Sequence, residues 1–165
     1  MDCADGGLGE EILDSRRRTS SALGTLNMKH RRIKYTDLNG KQKENYNFQK
    51  VAGVLADYGF NCMRLSDDWQ GADFIAYHKD SEGTLRVQLK ARLTVDKKYI
   101  GKGLHITFPI KGTWYLLGHD ELIQIVKANA NFLNTDSWIT GGGYNSDNPN
   151  GKLVKALEEF ALGGA

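Results

Sequence analysis

The chain has 165 residues, 40% of them apolar and 25% charged, with a formal net charge of +2. That length suits one domain with a real core, and the balance is ordinary for a globular protein. No apolar stretch is long enough to span a bilayer. Two cysteines, Cys3 and Cys62, make no disulfide framework, and a charge this small is no argument for nucleic acid by itself.

Residues 1–27 show weak periodicity and read as an N-terminal extension, helical or poorly ordered, with residues 28–165 as a single domain. Met28 is a candidate natural start. Acids cluster in residues 1–14, and residues 15–34 carry seven bases and no acid. The acidic start has no apolar run, so it is no signal peptide. With so few cysteines, the expected home is the cytoplasm.

From Glu44 the pattern sharpens. Phe48, Val51, Ala52, Leu55 and Tyr58 follow helical spacing and Gly59 is a stop, which predicts a helix over 43–58. "FNCMRL" (60–65) reads as a strand, "SDDWQG" (66–71) as a turn and "DFIAYH" (73–78) as a second strand. "LRVQLKARLTVD" (85–96) alternates apolar and polar residues throughout and is read as one strand. Residues 104–110 and 113–118 are two further strands. Residues 119–133 form a helix with Asp120 as N-cap, 140–152 a long loop, and 153–162 a closing helix. The fold class is α/β: a sandwich with a central mixed or mostly antiparallel sheet of four to five strands, flanked by helices.

Two strands in this order carry chemistry-bearing residues. If the hairpin loop centres between Ser81 and Glu82, His78 lies opposite Leu85, Ile75 opposite Gln88, and Asp73 opposite Lys90. Cross-strand partners share a face, so Asp73, Gln88 and Lys90 converge. A hard divalent cation such as magnesium, or manganese, takes oxygen ligands. Asp73, the Gln88 side-chain oxygen and the Leu89 backbone carbonyl could supply three. Lys90 could then orient an attacking water and stabilise charge growing on a phosphate.

"GADF" followed by "VQLKAR" resembles the core of the PD-(D/E)xK nuclease superfamily, the restriction-endonuclease-like fold. The resemblance spans residues 42 to about 133. It implies that Asp73 and Gln88 occupy metal-ligand positions and Lys90 the catalytic lysine position. Glu44 matches the acid that many members carry on the first core helix. The implied activity is metal-dependent hydrolysis of nucleic-acid phosphodiesters, DNA before RNA, with magnesium or manganese as cofactor. A small nuclease cutting both strands implies a homodimer. More narrowly, the run from "QKENYNFQK" to "DKKYIGK" resembles a group of small bacterial proteins of unassigned function.

One position departs from the motif: the second acid is Gln88. A neutral ligand weakens metal binding, and Asp67 or Asp68 is placed to compensate. The opposing reading is a non-catalytic nucleic-acid- or protein-binding module on the same fold. Its surface would run through residues 86–102, with Arg92, Lys97, Lys98 and Lys102 as phosphate contacts. Plainer roles also compete: Asp73 as a turn cap, Gln88 and Lys90 on an exposed strand edge, and Tyr99 as a packing residue rather than a base stacker. His78, His105 and His119 lack metal-site spacing and read as structural or helix-start residues.

Overall fold

The computed structural model describes residues 31–80 and 83–163. The extension expected over 1–27 lies outside the described residues. The chain divides into two compact units, Met1–Lys34 and Tyr35–Ala165. Of the first, only residues 31–34 are described; they are exposed and lack regular structure.

Helix α1 (Gly40–Asp57) opens on Asn39, whose side chain accepts the Gln42 N–H while the Gln42 side chain accepts the Asn39 N–H. This reciprocal capping box satisfies two backbone donors that the first turn would otherwise leave unpaired. The helix buries Val51 and Leu55 completely, each contributing about 1.5–3 kcal/mol on leaving water.

Among the described residues, eight strands run in the order β1 (Phe60–Trp69), β2 (Ala72–His78), β3 (Thr84–Leu89), β4 (Leu93–Asp96), β5 (His105–Ile110), β6 (Thr113–Gly118), β7 (Gly143–Ser146) and β8 (Ala161–Leu162). Six form one sheet in the order β1-β2-β3-β5-β6-β8, and β4 pairs with β7 in a separate ribbon. Among the described residues, the β3–β5 pairing is parallel and the other pairings of the main sheet are antiparallel. One sheet face packs Phe74, Ala76, Val87 and Trp114 against α1. The other packs Ile106, Phe108 and Leu117 against helix α2 (His119–Asn129) and helix α4 (Gly151–Ala156), with Leu122, Val126 and Leu153 buried between them. This is the α/β sandwich with a mixed, mostly antiparallel sheet that the sequence leads one to expect, with six strands in the main sheet in place of four to five.

Five expectations about individual elements are corrected. The strand foreseen over 85–96 is two strands: the ladder stops at Leu89, residues 90–92 bend away, and β4 joins another sheet. The unbroken alternation hid this break because each half keeps its own apolar face. The turn expected at 66–71 is narrower, because β1 continues to Trp69 and only Gln70 and Gly71 turn. Part of the long loop foreseen over 140–152 is β7, which pairs with β4. It follows a short helix, α3 (Asp136–Ile139). The closing helix is cut to Gly151–Ala156, followed by a short 3-10 turn and β8. In α2 the N-cap is Gly118, not Asp120, whose carboxylate instead accepts the Gly101 N–H at 3.1 Å.

Candidate functional site

The β2–β3 hairpin pairs Tyr77 with Thr84, Ile75 with Arg86 and Phe74 with Val87. The register therefore differs by two residues from the expected one. A two-residue shift preserves the facing of every side chain, whereas a shift of one would reverse it. Continuing the ladder one step sets Asp73 opposite Gln88, in place of Lys90. The Gln88 amide donates to Asp73 Oδ2, and the Leu89 backbone N–H donates to the same oxygen at 2.7 Å. Gln88 is 7% exposed, so this carboxylate–amide pair sits in the body of the sheet.

The neighbouring strand is distorted at this level. Arg64 pairs with Phe74 and Trp69 with Ala72, so residues 65–68 of β1 are matched by Asp73 alone on β2. A bulge of this size opens the ladder beside Asp73, and bulges commonly re-aim side chains next to sites. Asp67 lies within it, exposed. Just beyond, Gln70 and Gly71 turn the chain with φ of +57° and +92°. This is the left-handed pair required by the tightest hairpin turn.

Lys90 is the first residue past the end of β3. Its N–H donates to the Thr107 carbonyl at 2.9 Å, which anchors the bend to β5. Its ammonium reaches the Tyr99 hydroxyl at 3.4 Å and lies 5.3 Å from the ring centroid. Tyr99 is buried between Ala72 and Leu104 and meets His119 edge-on at 5.4 Å. The packing role weighed for Tyr99 is the one its burial fits, and the ring seats Lys90 from below. Lys98 lies above the same ring at 4.8 Å. Its hydrogen bond to Tyr99 pushes the Lys98 pKa upward, with Asp96 adding to the effect and partial burial opposing it.

The remaining expected residues scatter. Glu44 is engaged by Arg64 and, at 3.2 Å, by Lys41. Arg64 in turn lies 5.6 Å above the Phe48 ring. Arg92 pairs with Asp147 at 2.9 Å. The Lys97 ammonium donates to the Trp138 carbonyl at 2.7 Å and sits 4.9 Å from that indole. Lys98 faces Asp96 at 3.7 Å, and the Lys102 carbonyl accepts from Arg86. Arg92 thus lies on the bend, Lys97 and Lys98 in a 3-10 turn and Lys102 in a loop, so the four cations foreseen as phosphate contacts beyond Lys90 follow no single element.

Among the described residues, no group of three or more His, Cys, Asp and Glu side chains could hold a metal ion. The donor set at the candidate site is one carboxylate and one neutral amide. A small hard cation is commonly held by one or two carboxylates, with substrate phosphates and water completing its shell. Asp73 with the Gln88 oxygen fits that weaker pattern once the amide, which now presents its N–H to Asp73, turns over.

No protein-family model matches this chain, and no curated protein matches it. Among solved structures, a Holliday junction resolvase from the archaeal hyperthermophile Archaeoglobus fulgidus, Hjc, is similar over 47% of this chain and 76% of its own. The TM-score is 0.35 and the identity 11%. A likeness of that size assigns no residue of this chain a role.

Proposed function

We propose that this chain binds DNA, in preference to RNA, and hydrolyses its phosphodiester with the help of a magnesium or manganese ion held at Asp73. The observation that supports this is the pairing of Asp73 with Gln88 across adjacent strands, beside a bulge on one side and Lys90 on the other. Asp73 would hold the cation, with the Gln88 side-chain oxygen and the Leu89 carbonyl as further ligands. When bound, the cation would polarise the phosphate and acidify an attacking water. Lys90 would orient that water and meet the charge developing on the phosphate. Arg92, on the exposed bend, would contact substrate phosphates, with Lys97, Lys98 and Lys102 further along. Glu44 enters this reading only if substrate draws it from Arg64. Cutting both strands calls for a homodimer, and the expected compartment is the cytoplasm. Among the described residues, no helix is long and apolar enough to cross a membrane.

A specific observation favours a second reading. The residue opposite Asp73 is neutral and already satisfies it by hydrogen bonding. A site arranged this way suits a module that binds nucleic acid or protein without cutting.

The test is calorimetric titration of magnesium and manganese into wild type, Asp73→Asn and Gln88→Glu, followed by cleavage assays on single- and double-stranded DNA. Asp73→Asn keeps an oxygen acceptor for the Leu89 N–H, and its circular-dichroism signal is compared with that of wild type to check folding. Its cutting should fall about 100-fold or more, the scale of losing a group that stabilises transition-state charge. Gln88→Glu supplies a second carboxylate and should tighten metal binding. Equal cutting by wild type and Asp73→Asn would remove the enzyme reading. DNA binding without metal uptake at millimolar concentration would establish the second one.

A further inference from the structure

Lys43, Tyr46, Asn47 and Lys50 stand at i, i+3, i+4 and i+7 on α1 and so share one face of it. That face does not enter the core; it borders a groove. Tyr35, in the 3-10 turn Tyr35–Asp37, packs on Tyr46 with ring centroids 5.4 Å apart. The buried Asn47 amide donates to the Tyr35 hydroxyl at 2.9 Å and holds that ring in place. Lys43 lies 5.6 Å from the Tyr35 ring centroid and Lys50 5.5 Å from that of Tyr46. Three hollows of about 520, 540 and 280 Å³ share Tyr35 and Ala91 as walls. The second is lined by Lys43, Lys90 and Arg92. The first runs on past Lys50 to Pro109 and Trp114. Two of them fall within the range of ligand sites, roughly 300–1,000 Å³.

The chemistry of this groove is two adjacent tyrosine rings set among four cations. The acids that line it, Glu44 and Asp147, are engaged by Arg64 and Arg92, so Arg92 meets a phosphate by exchanging Asp147 for it. Such a surface complements a ligand that is anionic along its length and carries flat rings between the charges. An unpaired nucleic-acid strand is that ligand: its phosphates meet the cations and its bases stack on the rings. A duplex keeps its base faces stacked inside and offers the tyrosines nothing to cover.

We propose that the groove between the Lys43–Lys50 face of α1 and the bend at residues 90–92 binds an unpaired DNA strand. Tyr46 stacks a base, with the Tyr35 ring inclined at 60° beside it, and Lys43, Lys50 and Arg92 contact phosphates. This deepens the nuclease reading and rests on it in one respect: the strand form named here is the one led to Lys90. Binding itself requires no cutting.

The experiment measures fluorescence anisotropy of the full chain with a labelled oligo-deoxythymidine dodecamer and with a duplex of equal length. EDTA is present, so cleavage plays no part. Wild type should bind the single strand at least about tenfold more tightly than the duplex. Tyr46→Leu should weaken single-strand binding about tenfold, the scale of losing one stacked base, while Tyr46→Phe, which keeps the ring, binds as wild type does. Lys50→Ala, at an exposed position, should lower the salt dependence by about one unit of log–log slope. Duplex binding as tight as single-strand binding would overturn the proposal. So would unchanged binding by Tyr46→Leu. Should Tyr46→Leu lose its folded circular-dichroism signal, an unchanged salt slope in Lys50→Ala overturns the proposal by itself. The two readings fail separately. Asp73→Asn that cuts like wild type removes the nuclease and leaves the groove, whereas Asp73-dependent cutting that ignores Tyr46→Leu does the reverse.

Discussion

His119 shows how a single buried residue joins the elements around the candidate site. It opens α2, is 1% exposed, and accepts the Asp96 N–H through Nε2 at 3.2 Å. Burial lowers its pKa below the ordinary histidine value, with Asp120 and Asp96 opposing and Lys90 reinforcing the shift. His105 is lowered by burial as well, opposed by Glu121. Since the folded value is the lower one, the unfolded chain takes up the proton first as pH falls. The stability each contributes is therefore present above about pH 6.5 and lost as pH falls through the lowered folded value. Urea denaturation of wild type and His119→Gln between about pH 4 and 7 checks this. Wild type should lose stability more steeply, by at most about 1.4 kcal/mol per pH unit for one proton. Equal slopes would show that His119 does not titrate on unfolding. The sequence marked His119 as a helix-start residue, and the structure agrees. Its reach back to Asp96 could not be foreseen, because it depends on where β4 leaves the main sheet.

At the scale of elements, the decisive features are turns, the bulge and the break. Two hairpins close with the same chemistry: Gln70-Gly71 joins β1 to β2, and Lys111-Gly112 joins β5 to β6, all four residues at positive φ. Their surroundings differ. A Cβ at Gly71 would come within 2.9 Å of Leu104 and 3.1 Å of Tyr99, whereas at Gly112 it would meet nothing within 4 Å. Gly112→Ala should cost only the left-handed strain, about 1–2 kcal/mol. Gly71→Ala should cost that plus displacement of Leu104 and Tyr99, a further 1 kcal/mol or so. It should also weaken any function that relies on Lys90, because Tyr99 seats that ammonium. Denaturant midpoints of the two variants measure the difference, and equal losses would mean that the contact at Gly71 relaxes freely. The bulge opposite Asp73 was hidden for a physical reason. "LSDDW" has the polar composition of a turn, and it stays within β1 because the pairs on either side of it, Arg64 with Phe74 and Trp69 with Ala72, hold its ends.

Across the whole molecule, one sheet serves two cores. Phe74 is fully buried on the α1 face, and Phe108 is fully buried on the face that meets α2. Because both faces share the same strands, the cores should melt together. Phe74→Ala and Phe108→Ala are each expected to cost about 3–5 kcal/mol and to shift one common transition by circular dichroism and by tryptophan fluorescence. Two separated transitions in either variant would show that the layers fold independently. Local pattern alone determined the α/β class, the helix ending before Gly59, the β2 strand, and the presence of Asp73 and Gln88 on one face. These follow from side-chain periodicity and stop residues, which act over a few positions, and facing survives a register error of two. Only the tertiary structure decided that Gln88 rather than Lys90 stands opposite Asp73, that Glu44 is taken by Arg64, that the basic residues of 92–102 part company after Leu89, and that Tyr35 and Tyr46 flank a groove. Each of these depends on which distant segment fills the space beside a residue, and the spacing of neighbours along the chain carries no record of that.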